Sequence, residues 1–538
     1  MSTTSTQPIG KIVDVSASQI VGMLSNDYQG DPEGPGHIDV THSGANLLVK
    51  SGDTRLLVRV IRSWLENDRV LLRLAPIGEL DDDGGFSRGV SRFPALNARL
   101  FPVESSQLDG MFDTFRHHGL SLGRHSQFKN LDVYFDPNPL FGRHLTILGQ
   151  SGAGKSWTVT SVLQQTVKAM PRSHIVVLDI HGEYGWHDEQ GKLHSAFPEH
   201  MARHVDARAL EIPYWLLTYS ELVDLLIDRT DSNASLQIAF MREVLYSLRK
   251  KANKDLGIDS LSVDSPVYFS IKEMYLQFKK ANEQQMDFGK TRGPLFGAFD
   301  ELLVRFQAMF NDSRYNFLFK PKKRTESAQL ESLLRDFIGL GDPKRPISVI
   351  DLSFVPHDVR PTITAQIARL AFEFNYWNPR RHEFPLLLVC EEAHQYIPRD
   401  TDQQHAATRR AVERIAKEGR KYGVGLCVVS QRPLELSETV LAQCSNFICL
   451  RISNPDDQAY VRRLMPEGEQ DLTETLSSLR RGEALAVGEA VPLPTRMQVH
   501  LPDPPPASSD APLAESWREG PEDLDVADIV NRWWSQKR

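Results

Sequence analysis

Apolar and polar positions alternate in the first hundred residues, in short runs separated by turn-prone residues. Residues 45–65 read ANLLVKSGDTRLLVRVIRSWL, and residues 68–80 read DRVLLRLAPIGEL. A period of two is typical of strands with one buried face, and SGD and END are turn signals. We therefore predict a small β-barrel or sandwich within residues 1–104, followed to about residue 132 by a connector.

From His144 onward, apolar strand-like runs alternate with stretches of helical spacing. This order is typical of an α/β sheet with crossover helices, and near-continuous apolar runs are typical of strands buried on both faces. We predict that residues 105–200 and 341–500 form this α/β core. The candidate strands are residues 144–148, 174–180, 347–353, 385–391, 424–431 and 446–452.

Two further segments differ from this pattern. Residues 201–340 contain apolar residues at helical spacing, as in LLTYSELVDLLID, and we predict a helical insertion there. Residues 501–538 begin Pro-rich, as LPDPPPASSDAP, and end in ADIVNRWWSQKR. We predict an extended arm with a short terminal helix, whose Trp533 and Trp534 contact either this subunit's own core or a neighbouring subunit.

Composition limits the class of protein. The chain has 538 residues, 41% hydrophobic and 25% charged, which is ordinary for a folded protein of two or three domains. No stretch approaches the roughly 20 apolar residues of a membrane span, and the start, MSTTSTQPIGK, does not resemble a signal peptide, so we expect a cytoplasmic protein without membrane partners. The net charge of -8 argues against a generally basic nucleic-acid coat but not against a local basic surface.

The four cysteines lie in apolar segments, at spacings that match neither a zinc module nor a disulfide framework. We predict that they fill the core. They are Cys390, Cys427, Cys444 and Cys449.

A phosphate-binding loop follows the strand at residues 144–148. Residues 149–156 read GQSGAGKS, which fits G-x-x-x-x-G-K-[ST] between an apolar strand and a helix. Backbone amides of such a loop wrap the β-phosphate, while Lys155 neutralises phosphates and Ser156 binds Mg²⁺. The residues assigned to ATP are Gly149, Ser151, Gly152, Ala153, Gly154, Lys155, Ser156 and Trp157.

Two more strand ends carry polar groups that suit hydrolysis. PLLLVCEEAH places Glu391 and Glu392 after an apolar run, where α/β sheets place their chemistry. Glu391 would hold Mg²⁺ directly or through water, and Glu392 would act as general base for the attacking water. Gln431, in VVSQRP, would sense the γ-phosphate or orient water, or is simply a turn residue.

These elements, in this order, resemble the HerA family of the HerA and FtsK branch of P-loop ATPases. Further stretches carry the resemblance: FSRGVSRFPALN at residues 86–97, Arg143-His144 before the P-loop strand, LDIHGEYGW at 178–186, and IAKEGRKYGVGL at 415–426. The resemblance implies a RecA-like P-loop ATPase core with an N-terminal barrel of the HAS type. This sequence departs from the family pattern at Glu391, where Asp is usual, and at Ser151, where Thr is frequent.

The resemblance also implies a function. HerA proteins form hexameric rings, bind ATP between subunits and move double-stranded DNA through the channel. Arg143, Lys417 and Arg420 match basic positions of the family and are three equal candidates for a cation that acts on the neighbouring subunit's γ-phosphate. Archaeal relatives pair with a NurA-type nuclease for end resection, and bacterial relatives often accompany a sirtuin-like NAD hydrolase or a nuclease in phage defence, so the resemblance implies a partner of one of these kinds.

Two alternatives stay open on sequence grounds. The chain could form an ATP-binding ring scaffold that assembles and regulates an effector without obligatory DNA translocation, an alternative that Glu391 and the acidic net charge leave open. The basic run Lys320 to Arg324 could meet DNA phosphates, although such runs are more often solvated loops.

Overall fold

The computed structural model describes residues 7–16, 19–25, 40–81, 85–188, 190–286, 291–357, 359–400, 405–508 and 512–535. The strands are β1 (Gly10–Val15), β2 (Ile20–Leu24), β3 (Asn46–Ser51), β4 (Thr54–Glu66), β5 (Arg69–Leu80), β6 (Phe86–Arg88), β7 (Arg99–Pro102), β8 (Ser121–His125), β9 (Asp132–Tyr134), β10 (Leu145–Leu148), β11 (Ile175–Asp179), β12 (Gly185–His187), β13 (Leu193–Ser195), β14 (Ala202–Asp206), β15 (Gln285–Met286), β16 (Thr291–Arg292), β17 (Ile347–Asp351), β18 (Leu386–Cys390), β19 (Val424–Ser430), β20 (Asn446–Cys449), β21 (Glu483–Gly488) and β22 (Thr495–Val499).

The helices are α1 (Ser105–Arg116), α2 (Pro137–Gly142), α3 (Lys155–Ala169), α4 (Ala207–Leu210), α5 (Tyr219–Leu226), α6 (Ala234–Ala252), α7 (Ile271–Asn282), α8 (Asp300–Asn311), α9 (Asn316–Phe319), α10 (Leu330–Phe337), α11 (Arg360–Trp377), α12 (Ala406–Tyr422), α13 (Glu438–Gln443), α14 (Pro455–Leu464), α15 (Leu513–Glu519) and α16 (Val526–Ser535).

The N-terminal strands form a barrel rather than a sandwich. Six strands pair in the order β2-β1-β7-β3-β4-β5, and β2 pairs with β5 to close the ring, while β6 adds to β5. Their inward positions, such as Ile12, Leu47 and Leu74, are buried in a core of their own. Closure leaves no free edge between these six strands, which suits the alternating pattern of their sequence.

An eleven-stranded sheet forms the α/β core, in the order β14-β17-β11-β18-β19-β10-β20-β21-β22-β8-β9. The strands from β14 to β20 are parallel to one another, and the remaining pairings are antiparallel. The predicted α/β fold class with an N-terminal barrel is therefore confirmed. All six candidate strands lie in this sheet as β10, β11, β17, β18, β19 and β20.

Five strands of the sheet were not among those candidates. β14 lies inside the segment that was predicted to be a helical insertion, and it is a partly exposed edge strand of mixed sequence, ARHVD. β21 is fully buried, but its sequence, EALAVG, is made largely of small residues. β8, β9 and β22 each include polar positions. Since none of these five is a continuous bulky apolar run, the hydrophobic pattern did not reveal them.

Between β14 and β17 the chain forms helices α4 to α10, which share one hydrophobic core with the sheet. Trp215 and Phe299 of this segment are fully buried in the same cluster as Leu178 of β11. Buried Arg249 donates to the carbonyl oxygens of Trp215 and Leu217 at 3.1 and 2.9 Å. The helices are thus packed onto the core instead of forming a separate unit.

The C-terminal segment crosses helix α3 before it reaches α15 and α16. The Gln164 side chain accepts a hydrogen bond from the Asp503 backbone amide at 3.0 Å and donates one to the Pro504 carbonyl oxygen at 2.9 Å. Trp533 and Trp534 are 75% and 80% exposed, so they are not buried in this subunit's core. None of the helices in the described ranges is long and apolar enough to span a bilayer.

Candidate active site

The loop after β10 has the backbone of a phosphate-binding loop. Gly152 and Gly154 have φ values of 74° and 103°, in the left-handed region that glycine tolerates. Gly154 is the N-cap of α3, whose first residues are Lys155 and Ser156. The free amides of a helix N-terminus and their partial positive charge favour an anion at this point.

Contacts from other strands fix this loop. A Cβ on Gly149 would lie 2.9 Å from Cβ of Leu450, so a side chain there would collide. The Gln150 amide donates to the Arg451 carbonyl oxygen at 2.9 Å, and the Gly482 amide donates to the Ala153 carbonyl oxygen at 3.0 Å. Sequence reasoning gave Gln150 and Gly482 no part in the site, because their contacts join residues about 300 positions apart.

Two glutamates follow β18 at the same sheet edge as the loop. Nζ of Lys155, a residue only 7% exposed, lies 3.8 Å from Oε1 of Glu392. The hydroxyl of Tyr184 donates to Oε1 of Glu391, and the Glu392 amide donates to Oε2 of Glu391 at 3.2 Å. The structure thus brings together the loop lysine and both carboxylates that the sequence predicted separately.

Burial controls the charge of these carboxylates. It raises the pKa of Glu391 to about 8, with repulsion from Glu392 adding to the effect and the Tyr184 hydrogen bond opposing it. Burial also raises the pKa of Glu392, against the opposing charge of Lys155. A bound Mg²⁺ would supply the positive charge that these buried acids favour, and hydroxyl and carboxylate oxygens are its usual ligands.

One oxygen of Glu392 is free to act on a water. Its Oε2 is buried and has no hydrogen-bond partner within the described part of the chain. Nδ1 of His394 lies 3.3 Å away but is not aligned for a hydrogen bond, and burial lowers the pKa of His394 to about 4, which keeps the ring neutral. Buried unpaired acceptors are costly, so this oxygen fits a ligand or a reacting water.

Gln431 directly follows β19 and lies next to Glu392. Its backbone amide hydrogen-bonds to Glu392 and lowers the pKa of that carboxyl. Trp157, in the first turn of α3, has a buried Nε1 without a hydrogen-bond partner among the described residues. The predicted site residues from 149 to 157, together with 391, 392 and 431, therefore lie around one sheet edge.

The loop after β11 holds a further buried acid. Asp179 accepts hydrogen bonds from the amides of residues 181–184, at 2.8 to 3.2 Å. Burial raises its pKa to about 7, with repulsion from Asp351 in the same direction and the amide of Tyr184 opposing it. The sequence had marked this stretch, LDIHGEYGW, through the family resemblance, but it had given Asp179 no role.

Replacing Asp179 with Asn should change how stability depends on pH. Because the folded protein raises the pKa of Asp179 from 3.8 to about 7, the stability from this group is fully present below about pH 4 and is lost as pH rises to about 7. We expect the difference in melting temperature between variant and wild type to shift in favour of the variant from about pH 4 to about pH 7, measured by thermal unfolding without nucleotide.

Asp113→Asn, at a carboxylate that is 62% exposed, is the matched control and should follow the wild type. If Asp179→Asn also runs parallel to the wild type across this range, the elevated pKa of Asp179 is wrong.

The three candidate trans-acting cations lie away from the phosphate-binding loop of their own subunit. Arg143 precedes β10, and it pairs with Glu489. Lys417 and Arg420 are exposed residues of α12, the helix before β19, and Nζ of Lys417 lies 3.4 Å from Oε2 of Glu413. The loop follows the carboxyl end of β10, whereas these residues lie toward the amino ends of β10 and β19.

His144 connects the segment that carries Arg143 to helix α12, which carries Lys417 and Arg420. Its Nε2 lies 3.0 Å from the carbonyl oxygen of Ala416 in α12, and its Nδ1 accepts from the Leu426 amide of β19 at 3.1 Å. Arg143 is thereby tied to the helix that carries Lys417. The structure brings the three cations toward one edge of the sheet and does not bring them to the loop of the same chain.

The basic run at residues 320–324 makes several contacts within the fold. The amides of Lys322 and Lys323 donate to Oε2 of Glu211 at 3.0 and 2.6 Å. Arg324 is 8% exposed, and its guanidinium donates to Asp336 at 2.7 Å. Lys320 lies over the ring of Phe310, 4.4 Å from its centre. These contacts support the interpretation of the run as structural.

A strand, a glycine loop and a helix N-terminus, with two carboxylates at the end of β18, two strands along the same sheet, define a P-loop ATPase. The chain matches the family model "Helicase HerA, central domain" over residues 120–371 and "Helicase HerA-like C-terminal" over residues 383–530. It belongs to the HerA helicase family, as its sequence motifs led us to expect, and it is an ATPase.

Several archaeal proteins are similar along most of their length. The DNA double-strand break repair helicase HerA of Sulfolobus acidocaldarius is 29% identical over 75% of this chain and 74% of that protein. HerA of Pyrococcus furiosus is 27% identical over 81% and 78%. A probable helicase of Methanocaldococcus jannaschii is 24% identical over 94% and 88%. Among solved structures, VirB4 of Thermoanaerobacter pseudethanolicus aligns over 73% of this chain and 97% of its own, with a TM-score of 0.47 and 19% identity.

Proposed function

We propose that this chain is the subunit of a hexameric, ATP-driven motor that moves along double-stranded DNA together with a partner nuclease or defence effector. The observation that carries the proposal is the placement of Lys155, Glu391 and Glu392 around one buried site of a HerA-family chain. The relatives from Sulfolobus acidocaldarius and Pyrococcus furiosus are DNA double-strand break repair helicases, which supports DNA as the polymer on which the motor acts.

Each site residue has a role in the proposed hydrolysis. The amides of residues 149–154 wrap the β-phosphate, and Lys155 neutralises the β- and γ-phosphates. Ser156 and Glu391 would hold Mg²⁺, which would supply positive charge to the phosphates. Glu392 accepts the proton of the attacking water through its free Oε2, and Gln431 orients that water or the γ-phosphate.

The charge that develops on the γ-phosphate needs a further cation. Among the described residues, the two basic side chains within 4 Å of Glu392 are those of Lys155 and His394, and the pKa of His394 is lowered to about 4, so that its ring is neutral. Arg143, Lys417 and Arg420 lie toward the other edge of the sheet, so they suit a site on the neighbouring subunit. An arginine finger supplied in trans links hydrolysis in one subunit to movement against the next.

Duplex DNA should stimulate hydrolysis by the full-length protein. A motor that grips the phosphate backbone couples nucleotide turnover to its track, so we expect the ATPase rate to rise several-fold with linear duplex DNA and to fall again with added salt. Phosphate release with and without DNA measures the rate, and mass measurement with and without nucleotide tests the six-fold ring.

An ATP-binding scaffold predicts the contrary. Hydrolysis would then be indifferent to duplex DNA, and assembly with an effector would survive the loss of hydrolysis in Glu392→Gln. That pair of results would contradict the motor while leaving the ATP site intact.

A further inference from the structure

Tyr184 connects the loop after β11 to the carboxylate of Glu391. Its side chain is fully buried, and its hydroxyl donates to Oε1 of Glu391. Burial and the neighbouring carboxylates hold the pKa of Tyr184 well above its usual value, so the phenol stays protonated and remains a donor. Tyr184 therefore contacts a predicted metal ligand from a part of the chain about 200 residues away.

The loop that carries Tyr184 is held on both sides. Asp179 accepts hydrogen bonds from four successive amides, including that of Tyr184 at 3.0 Å. From the C-terminal segment, the Ala507 amide donates to the carbonyl oxygen of Glu183 at 2.9 Å. The phenol ring stacks on Phe197, with ring centres 6.0 Å apart. The position of the Tyr184 hydroxyl is thus set by groups outside the phosphate-binding loop.

Glu391 needs such a restraint more than an aspartate would. Its side chain has one more rotatable bond than Asp, and each free rotamer that must be fixed costs free energy. Oε2 accepts from the Glu392 amide at 3.2 Å, which leaves Oε1 to be fixed by Tyr184. With both oxygens bound, the carboxylate has a defined orientation before any ligand arrives.

We propose that Tyr184 is a positioning residue for Glu391, holding its carboxylate in the orientation in which it serves the magnesium of the proposed ATPase. The inference rests on the proposed function and goes beyond it, because it gives a role to a residue outside the phosphate-binding loop and the carboxylates that follow β18. Groups that orient a metal ligand typically contribute about 10- to 100-fold to metal affinity or activity.

Tyr184→Phe in the full-length protein is the direct test. It removes the hydroxyl and keeps the ring, so we expect about a 10-fold or greater rise in the Mg²⁺ concentration that half-saturates hydrolysis, with nucleotide affinity in EDTA unchanged. Tyr396→Phe is the matched control: this buried tyrosine donates to the backbone carbonyl of Glu391 at 3.0 Å, and it does not touch the carboxylate. The control should keep the wild-type Mg²⁺ dependence.

A double-mutant comparison separates positioning from general damage. In a Glu391→Ala background, Tyr184→Phe should change Mg²⁺-dependent nucleotide binding no further, since the carboxylate it acts on is gone. Three results would overturn the proposal. They are an undiminished effect of Tyr184→Phe in the Glu391→Ala background, a wild-type Mg²⁺ dependence of the Tyr184→Phe single variant, and equal losses in the Tyr184→Phe and Tyr396→Phe variants. Wild-type protein that fails to hydrolyse ATP would instead refute the proposed function.

Glu391→Asp tests the same point if Tyr184→Phe does not fold. It keeps the charge but withdraws the oxygen from the Tyr184 hydroxyl by one methylene. We expect the Mg²⁺ concentration that half-saturates hydrolysis to rise in that variant. An unchanged concentration would show that the position held by Tyr184 does not matter.

Discussion

Replacing Glu392 with Gln is expected to lower ATP hydrolysis by about two to four orders of magnitude, the usual contribution of a general base, while ATP still binds. The change removes the proton acceptor and keeps the size of the side chain. Its amide oxygen can still accept from the Gln431 backbone amide that now bonds to Glu392. Single-turnover hydrolysis and a separate binding titration distinguish the two effects.

The structure explains why binding should survive in this variant. Oε2 of Glu392 has no hydrogen-bond partner among the described residues, so the substitution costs no such bond at that atom. It also takes a negative charge away from the position 3.8 Å from Nζ of Lys155, which leaves the lysine freer to meet phosphate.

Glu383→Gln is a matched control, because this carboxylate is 73% exposed and precedes the same strand, β18. It should hydrolyse ATP at the wild-type rate. Near-normal turnover in Glu392→Gln would show that Glu392 is not the general base. Gln431 would then remain as the candidate residue that orients the attacking water.

The sequence predicted those parts of the site that are local in the chain. The phosphate-binding loop is eight consecutive residues, and Glu391 and Glu392 directly follow an apolar run, so strand, loop and helix can be identified from neighbours alone. The same holds for the barrel, where alternation along each strand depends on one buried face.

Contacts between distant segments could not be predicted in this way. The bond from Tyr184 to Glu391 joins residues 207 positions apart, and nothing in HGEY indicates which side chain the tyrosine meets. β14 escaped detection because an edge strand needs little apolar surface. The sequence puts Arg143 before β10 and the loop after it, but the positions of Lys417 and Arg420 away from their own loop follow only from the sheet topology.

Lys155→Ala should lose nucleotide binding itself, whereas Glu392→Gln should bind ATP and lose only hydrolysis. Lys155 is the buried cation that lies beside the carboxylates, and its charge opposes the rise in the pKa of Glu392. Its removal takes away a charge-assisted bond to phosphate and leaves buried acids facing a polyanion. We expect the affinity for Mg²⁺-ATP to fall by about 100-fold or more, or about 2.8 kcal/mol, by titration calorimetry.

Lys168→Ala on the same helix separates this effect from a general loss of positive charge. Lys168 lies in the last turn of α3 and is exposed, so its removal should leave ATP affinity unchanged. Because a buried charge acts at short range with little screening, whereas an exposed one is screened by water and salt, only position 155 should matter. Equal affinities for the two variants would mean that the triphosphate lies elsewhere, and the assignment of the loop at residues 149–156 would then be wrong.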